Sequence, residues 1–488
     1  MLRLLTAARL AATALAATII LLRGWVALTS GADINLVSGV WLALALDTHE
    51  GVFYRPLAEG GYYGGTRYFP LLFLLIAGGI RGGLDVLVAG QLASAMGGLL
   101  LVTGAFALLR RLSVGVGLAI SGAVLALAPY FVLQSVFAIR TEPLAAGLAL
   151  WGSACVAAGP QVPRLRARAL FAALLFTLAA AAKPTALYAA VAAILALAAW
   201  GRQKDAARLG LLTAAGCGIL LAVLAVSTDG RAMESFRAGA LAGETPLALL
   251  RPLVGLDAVR LLFTSHYLGG VLLLVAAAML AAPRQVYSLP GLLVVLSSVA
   301  SAVALATPGT ILTNQAVEPY AAASVFLAWS AHASPRLRTA GSMAVTALLL
   351  WTSAHGIREV SLLLEANVRT SAPQERAVLQ SAAEECRGTV LSESPLIPVL
   401  TGTRPILLDP FAFRVAGLIR PDIPADLITR LRAREFGCVL LEMDPESVRG
   451  QGWYANVHLG APVIEALLDH YTFQRAVAGR GLYVADDR

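Results

Sequence analysis

Long apolar runs separated by short polar segments fill the first 358 residues. A helix needs about 20 apolar residues to cross the hydrocarbon core of a bilayer. Runs of roughly this length lie at 5–28, 84–109, 114–134, 143–159, 168–182, 184–200, 209–227, 261–282, 288–306, 317–333 and 340–357. The pattern therefore predicts a multi-span α-helical membrane protein with about eleven spans.

Two apolar runs are ambiguous. If the run at 69–80 crossed the membrane, every later loop would lie on the opposite side of the membrane. We interpret it as an interfacial or re-entrant helix, and a count of about 12 or 13 spans is the alternative. The first run also fits a signal peptide, but its length and the Arg23-Gly24-Trp25 end favour a retained anchor.

Beyond residue 358 the pattern changes to short β-type runs that alternate with helical ones. We expect helices at 374–385, 425–435 and 463–469, with Gly437 capping the second, a helical turn at 395–401, strands at 389–393, 405–409 and 438–443, and a hairpin of 471–477 with 481–485. The alternation predicts a small α/β domain over 359–488. Such a domain more often caps a membrane site or contacts a partner than carries chemistry. Cys386 and Cys438 would pair in it if the compartment is oxidising, which their spacing alone leaves open.

Composition and charge agree with a membrane-embedded body. The chain is 58% hydrophobic and 14% charged, whereas soluble proteins are about 25% charged. Residues 1–358 contain 24 Lys and Arg against 12 Asp and Glu, but residues 359–488 contain 13 against 17. The basic residues are scattered between apolar runs rather than clustered with aromatic residues, which excludes a nucleic-acid-binding surface.

The distribution of charge also orients the spans. Basic residues concentrate in alternate loops, and cytoplasmic loops are the ones enriched in Lys and Arg. Nearly all acidic residues of the first 358 lie in the other loops. We therefore expect a multi-pass membrane protein with a cytoplasmic N-terminus and an extracytoplasmic C-terminal domain.

The first outer loop, 29–83, is long and rich in aromatic residues and glycine. Long loops of this kind are usually functional. An aromatic belt at the membrane interface would explain rings such as Tyr68, but it does not explain Asp33, just beyond the first span. We therefore treat Asp33, Arg67 and Tyr68 as candidate site residues.

Further polar residues lie on the same predicted side. Arg140 and Glu142 precede the fourth span, where an ion pair and a helix-dipole contact are the simpler explanation. Lys183 separates two apolar runs in a chain with only two lysines. It is a functional candidate, although a snorkelling lysine is the alternative. Weaker candidates are His266, Asn314 and Tyr320.

The order of these features resembles a known class of enzymes. An Asp soon after an N-terminal anchor, the stretch Arg67-Tyr68-Phe69-Pro70-Leu71, then Arg140-x-Glu142 and Lys183-Pro184 resemble the GT-C class of integral-membrane glycosyltransferases. This class uses polyprenyl-phosphate sugars and includes protein O-mannosyltransferases and the bacterial aminoarabinose transferase of lipid A. The stretch from Val390 to Pro405 resembles the outer domains of bacterial relatives. The class often has Asp where this chain has Glu142.

The resemblance implies an inverting transfer of a sugar to a hydroxyl of a lipid, glycan or protein acceptor at the outer face. By resemblance the first-loop Asp33 is the general base, and Glu142 either takes part in the chemistry or orients its neighbours. The leaving phosphate needs positive charge, which Arg67, Arg140 and Lys183 can supply. Tyr68, His266, Asn314 and Tyr320 would contact substrate. We expect neither a metal nor another cofactor.

Other functions are consistent with part of the pattern. A transporter or flippase of lipids or glycans would place charges near mid-span and often shows internal repeats, which this sequence lacks. An O-antigen polymerase or ligase would have a large outer loop late in the chain, whereas here the longest loop comes first. A scaffold subunit would leave the outer charges unexplained.

Overall fold

The computed structural model describes residues 2–157, 165–241, 268–305, 312–334, 337–369, 372–386, 388–446 and 452–486. Helices dominate the chain up to residue 385. They are α1 (Leu2–Ser30), α2 (Leu36–His49), α3 (Leu71–Arg81), α4 (Val86–Arg111), α5 (Val116–Leu127), α6 (Tyr130–Phe137), α7 (Glu142–Val156), α8 (Leu165–Ala182), α9 (Tyr188–Ala199), α10 (Gln203–Ser227), α11 (Arg231–Leu241), α12 (Leu268–Ala281), α13 (Leu289–Leu305), α14 (Leu312–Gln315), α15 (Val317–Ala333), α16 (Arg338–Arg369) and α17 (Ala372–Glu385). Short 3₁₀ turns cover Pro184–Leu187 and Pro283–Tyr287, and a two-stranded hairpin, β1 (Ala58–Glu59) with β2 (Tyr62–Tyr63), lies in the first loop.

Within these described ranges, three helices are individually long and apolar enough to cross a membrane: α1 from Arg3, α4 and α10. Helices α5 and α6 meet the same criterion together but bend by 68° at a break that contains Pro129, because proline interrupts the hydrogen-bond ladder. The other apolar helices there are shorter, so the number of about eleven spans stays a prediction. Helix α3 has 11 residues, or roughly 16 Å, and is too short to cross a hydrocarbon core of about 30 Å alone.

Helices α4 and α7 cross at unusually close range because glycines lie at their contact. A Cβ atom added at Gly147 would lie 2.6 Å from the backbone nitrogen of Leu101 and 2.7 Å from the carbonyl carbon of Leu100. Gly97 lies equally tightly against the backbone of Leu144. Small residues allow this kind of approach between membrane helices. The crossing fixes the N-terminal end of α7, where Arg140 and Glu142 lie.

The C-terminal region forms a four-stranded sheet in the order β3-β4-β6-β5. The strands are β3 (Thr389–Ser392), β4 (Phe436–Leu441), β5 (Tyr471–Val477) and β6 (Arg480–Ala485), and the helices are α18 (Leu396–Leu400), α19 (Pro410–Ile419), α20 (Asp422–Arg432) and α21 (Ala461–Leu468), with a π-helical turn at Trp453–Val457. Strands β3 and β4 are parallel, and the other two pairs are antiparallel. We call residues 388–486 of this region the sheet domain. A disulfide between Cys386 and Cys438 joins the segment after α17 to β4.

Two local expectations for this region were wrong, and one helix was not predicted. No strand forms at 405–409, because Leu407 makes an isolated bridge to Tyr63 of the first loop instead of joining the sheet. Gly437 lies inside β4 and caps no helix, since α20 ends at Arg432. Helix α19, which the Asp409 side chain caps through two backbone N–H groups, was not anticipated. Helix α16 runs through residues 358 and 359 and continues to Arg369.

The first loop is packed into the sheet domain. The Tyr63 N–H donates to the Ile406 carbonyl at 2.8 Å, and the Leu408 N–H donates to the Tyr63 carbonyl at 3.0 Å. The Tyr63 ring is fully buried and packs edge-on against Phe413. Helix α2 also contacts this domain, because Gly39 leaves no space for a Cβ beside the Leu396 backbone.

A buried ion pair lies at the junction of these parts. Arg55 of the first loop contacts Asp47 of α2 through Nε at 2.5 Å and Nη2 at 2.8 Å. Its Nη1 donates to the Pro405 carbonyl of the sheet domain at 2.6 Å, and Arg404 Nε lies 3.2 Å from Asp47 Oδ1, which Arg55 Nη2 also contacts. The Asp47 and Arg55 side chains are 3% and 2% exposed. We call these four residues the junction clamp.

The close crossing of α4 and α7 predicts that Gly147→Ala destabilises the protein, although alanine favours a helix by about 1 kcal/mol over glycine. The added methyl group would meet backbone that cannot move independently. Gly218→Ala in α10 is the matched control, because no atom lies within 4 Å of a Cβ there. In thermal unfolding of the detergent-solubilised protein, Gly147→Ala should lower Tm and Gly218→Ala should not. Equal Tm values would contradict the close crossing.

The junction clamp predicts that Arg55→Ala strongly lowers the free energy of unfolding. The substitution leaves the Asp47 carboxylate buried, with only the half-buried Arg404 beside it. Removing one partner of a buried pair typically costs about 3–5 kcal/mol. Arg475→Ala breaks an exposed pair with Glu385 and should cost about 1 kcal/mol or less. Denaturant unfolding of both variants measures the difference. A similar small loss in both would show that the clamp contributes little.

Candidate active site

A cavity of about 450 Å³ separates the membrane helices from the sheet domain. One wall comes from the start of α2, the first loop and the residue pair before α7, and the opposite wall comes from the sheet domain. The lining residues are Asn35, Leu36, Val37, Val40, Arg67, Tyr68, Arg140, Asp409, Phe411, Glu442, Met443, Trp453, Val457 and His458. Three sequence-predicted site residues, Arg67, Tyr68 and Arg140, therefore share one cavity.

Two arginines give the membrane-side wall its positive charge. Arg67 places its guanidinium carbon 4.4 Å from the centre of the Phe411 ring, a cation–π distance. Arg140 is 8% exposed, and its buried Nη1 has no hydrogen-bond partner among the residues that the structure describes. A guanidinium with an unsatisfied buried donor is a ready partner for an anion such as a phosphate.

Strained backbone presents Arg140 to the cavity. Ile139 has a φ of 52°, which is costly for a β-branched side chain. Hydrogen bonds hold the residues on both sides of it: Ser38 Oγ donates to the Ala138 carbonyl at 2.6 Å, and the Arg140 N–H donates to Ser94 Oγ at 3.2 Å. Helices α2 and α4 thus fix the position of the Arg140 side chain.

Tyr68 adds an aromatic ring and a neutral hydroxyl to the same wall. Its ring stacks on Trp41 with centroids 4.4 Å apart, and its carbonyl accepts from the Tyr54 hydroxyl at 2.8 Å. Burial, reinforced by the Asp409 carboxylate, raises the pKa of Tyr68 to about 12. The hydroxyl therefore remains a hydrogen-bond donor at physiological pH.

Asp33 is not among the residues that line this cavity. Arg23 Nη2 contacts both of its carboxylate oxygens, at 2.7 and 2.6 Å, and both side chains are almost fully buried. Asn35, two residues later, caps α2 and lines the cavity. The predicted base is thus held in a buried ion pair, two residues before the first residue that lines the cavity.

Glu142 and Lys183 belong to a neighbouring group of buried charges. Thr141 Oγ donates to the Ala182 carbonyl at 3.1 Å, which brings the two segments together. Lys183 Nζ lies 3.0 Å from Glu318 and 3.4 Å from the Asn314 carbonyl. Glu318 therefore balances the charge of Lys183. In the part of the chain that the structure describes, the Glu142 carboxylate forms neither a hydrogen bond nor an ion pair.

The weaker candidates do not lie together in one site. Asn314 contacts Lys183 through its backbone carbonyl. Tyr320 is buried and packs edge-on against Phe131, with centroids 5.6 Å apart, outside the cavity lining. His266 lies outside the described residues. Between residues 2 and 486, the described ranges contain no group of three or more His, Cys, Asp or Glu placed to hold a metal ion.

The sequence did not indicate the residues of the opposite wall. Asp409, Glu442 and the turn that carries Trp453 and His458 come from three separate segments of the sheet domain and meet only in the folded chain. Glu318 was not a candidate from the sequence, and its pairing with Lys183 joins residues 135 positions apart. A lone histidine or tryptophan in an α/β domain gives no local signal, so sequence alone could not have identified this wall.

A second cavity, of about 570 Å³, lies beside the junction clamp. Its charged lining comprises three carboxylates, Asp47, Glu50 and Asp85, and one cation, Arg404, which contacts Asp47. This excess of negative charge disfavours a phosphate. The cavity with Arg67 and Arg140 is therefore the better candidate for an anionic ligand.

Comparison with known proteins shows which fold this is. No protein-family model matches the sequence, and no curated protein matches it either. Among solved structures, ArnT from Cupriavidus metallidurans bound to undecaprenyl phosphate is similar with a TM-score of 0.59 and 10% identity, over 96% of this chain and 98% of that chain. The Archaeoglobus fulgidus oligosaccharyltransferase AglB, in complex with an inhibitory peptide and a dolichol-phosphate, is similar with a TM-score of 0.54 and 12% identity, over 97% and 74% of the two chains. Both are GT-C glycosyltransferases, and the resemblance to the fold of this class is confirmed.

Proposed function

We propose that this chain is an inverting glycosyltransferase that moves a sugar from a polyprenyl-phosphate donor to an acceptor hydroxyl. The observation that carries the proposal is the buried, unsatisfied Nη1 of Arg140, which lines the same cavity as Arg67. The end-to-end similarity to ArnT bound to undecaprenyl phosphate supports a lipid phosphate as the anion. The transferred sugar is a hexose or a pentose.

The same proposal includes an arrangement in the membrane. Residues 1–358 form the catalytic membrane domain with the large first outer loop 29–83, and residues 359–488 form an extracytoplasmic α/β domain. The N-terminus is cytoplasmic and the protein resides in the bacterial inner membrane. The disulfide between Cys386 and Cys438 supports an oxidising location for the sheet domain.

At the donor, the sugar's anomeric carbon loses a phosphodiester oxygen, which gains negative charge as the bond breaks. Arg140 and Arg67 stabilise that charge, and planar guanidinium groups suit phosphate oxygens in pairs. Lys183 adds a point charge when its contact with Glu318 loosens. No general acid is required, because a phosphomonoester is already a good leaving group.

At the acceptor, a carboxylate removes the hydroxyl proton while the hydroxyl oxygen attacks the anomeric carbon from the face opposite the phosphate. Asp33 is the proposed base, and Arg23 orients it through the contacts at 2.6–2.7 Å. Glu142 is the second candidate, since its carboxylate makes no polar contact among the described residues. Tyr68 and Asn314 remain proposed substrate contacts, as do Tyr320 and His266, although the structure places Tyr320 against Phe131.

The phosphate proposal predicts that Arg140→Gln raises the Kd for undecaprenyl phosphate at least tenfold, about the value of one charge-assisted hydrogen bond. Binding to the purified protein measures it. Undecaprenol, which lacks the phosphate, should bind both forms equally. Arg420→Gln removes an exposed arginine paired with Asp422 and should change neither affinity. Unchanged binding of undecaprenyl phosphate to Arg140→Gln would contradict the phosphate site.

The proposed base predicts that Asp33→Asn lowers sugar transfer by roughly 10²-fold or more, the usual contribution of a general base. Transfer is measured with a panel of undecaprenyl-phosphate-linked sugars, and binding of undecaprenyl phosphate should persist. Because Asp33→Asn leaves Arg23 buried without its partner, the double variant with Arg23→Met controls for stability. Normal transfer by Asp33→Asn together with loss in Glu142→Gln would reassign the base to Glu142.

A further inference from the structure

The sheet-domain wall of the cavity contains a histidine held in one orientation by a buried carboxylate. His458 Nδ1 lies 2.6 Å from Glu393 Oε1. Glu393 is 1% exposed and His458 is 7% exposed, yet the imidazole ring still lines the cavity. Neither residue is used by the proposed transfer step.

The hydrogen bonds around Glu393 determine which imidazole nitrogen carries the proton. Besides His458, the Tyr454 hydroxyl donates to Oε2 at 2.8 Å and the Glu442 N–H donates to Oε2 at 2.8 Å. Because a carboxylate surrounded by donors accepts from each of them, Nδ1 of His458 carries a proton. In the neutral ring Nε2 is then a hydrogen-bond acceptor. Within the described residues, Nε2 has no hydrogen-bond partner.

Trp453 completes this part of the wall. Its ring meets the His458 ring edge-on, with centroids 4.5 Å apart, and it lines the cavity beside Glu442. An apolar ring face beside groups that hydrogen-bond hydroxyls is suited to a pyranose, which has an apolar C–H face and a rim of hydroxyls. The opposite wall carries Arg67 and Arg140, so the two walls differ in chemistry.

We propose that Trp453 and His458, supported by Glu393, form a carbohydrate-binding subsite in which His458 Nε2 accepts a hydrogen bond from a sugar hydroxyl. The subsite deepens the proposed function, because it assigns the sugar to the sheet-domain wall and the phosphate to the arginine wall. The carbohydrate is either the donor sugar or a glycan acceptor, which share this chemistry. Glu393 acts as a positioning residue through His458.

The test uses the full-length protein labelled with 5-fluorotryptophan and observed by ¹⁹F NMR. The chain has seven tryptophans, and the resonance that is lost in Trp453→Phe identifies position 453. The probes are methyl glycosides of a hexose, an N-acetylhexosamine and a pentose. We expect a saturable shift of the Trp453 resonance with at least one of them. The absence of any shift would overturn the subsite.

Two variants separate the role of His458 from a structural one. In His458→Asn the amide can replace Nδ1 toward Glu393 but leaves nothing at the position of Nε2, whereas His458→Gln extends an oxygen toward that position. We expect His458→Asn to raise the glycoside Kd at least tenfold at an unchanged Tm, and His458→Gln to recover most of the affinity. Wild-type affinity in His458→Asn would overturn the assignment.

Competition identifies the source of the sugar. If an undecaprenyl-phosphate-linked sugar displaces the glycoside, the subsite holds the donor sugar, and if both bind together, it holds the acceptor. Either result supports the subsite. Undecaprenyl phosphate binding, measured with Arg140→Gln, reports separately on the proposed function. Glycoside binding without lipid-phosphate binding would contradict the proposed function and still support the subsite.

Discussion

The buried ion pair between Asp47 and Arg55 is the interaction on which the arrangement of the site depends. It joins α2 to the first loop, and through Arg404 and Pro405 it joins both to the sheet domain. Two charges removed from water are stabilising only when geometry and additional hydrogen bonds compensate the lost hydration. Here one guanidinium makes contacts to both carboxylate oxygens and to a carbonyl. The cavity has one wall in each region, so its shape follows from this junction.

Two other buried charged pairs near the cavity also place opposite charges together. Arg23 compensates Asp33, and Glu318 compensates Lys183, so neither pair leaves a net charge buried. Arg140 differs, because among the described residues it forms no ion pair and its buried Nη1 has no hydrogen-bond partner. An incoming anion therefore finds a donor that is already desolvated and already positioned by the strained turn at Ile139. Little reorganisation is then needed when the anion binds.

Features encoded by local pattern were predictable from the sequence, and features made by distant pairing were not. The final hairpin, the helix before Cys386 and the polar segment at Arg140 follow from periodicity and charge. The segment 405–409 was expected to form a strand, but it is irregular. Leu407 bridges to Tyr63 of the first loop instead of pairing within the sheet. Likewise, the contact between Glu393 and His458 joins residues 65 positions apart. Arg67 and Arg140 could be identified as candidates because they lie in predicted outer segments between apolar runs, whereas a histidine within a mixed α/β pattern gives no such signal.

The docking of the first loop into the sheet domain has a consequence for biosynthesis. Arg55 and Pro405 are separated by 350 positions, and Tyr63 and Asp426 by 363. A ribosome has therefore made most of the chain before the partners of the first loop exist. The helices can pack with their neighbours during insertion, but the loop can take its final place only after the sheet domain has emerged. Assembly of the cavity is thus a late event that requires nearly the whole chain, and a chain that stops before the sheet domain has one wall of the site and no second wall.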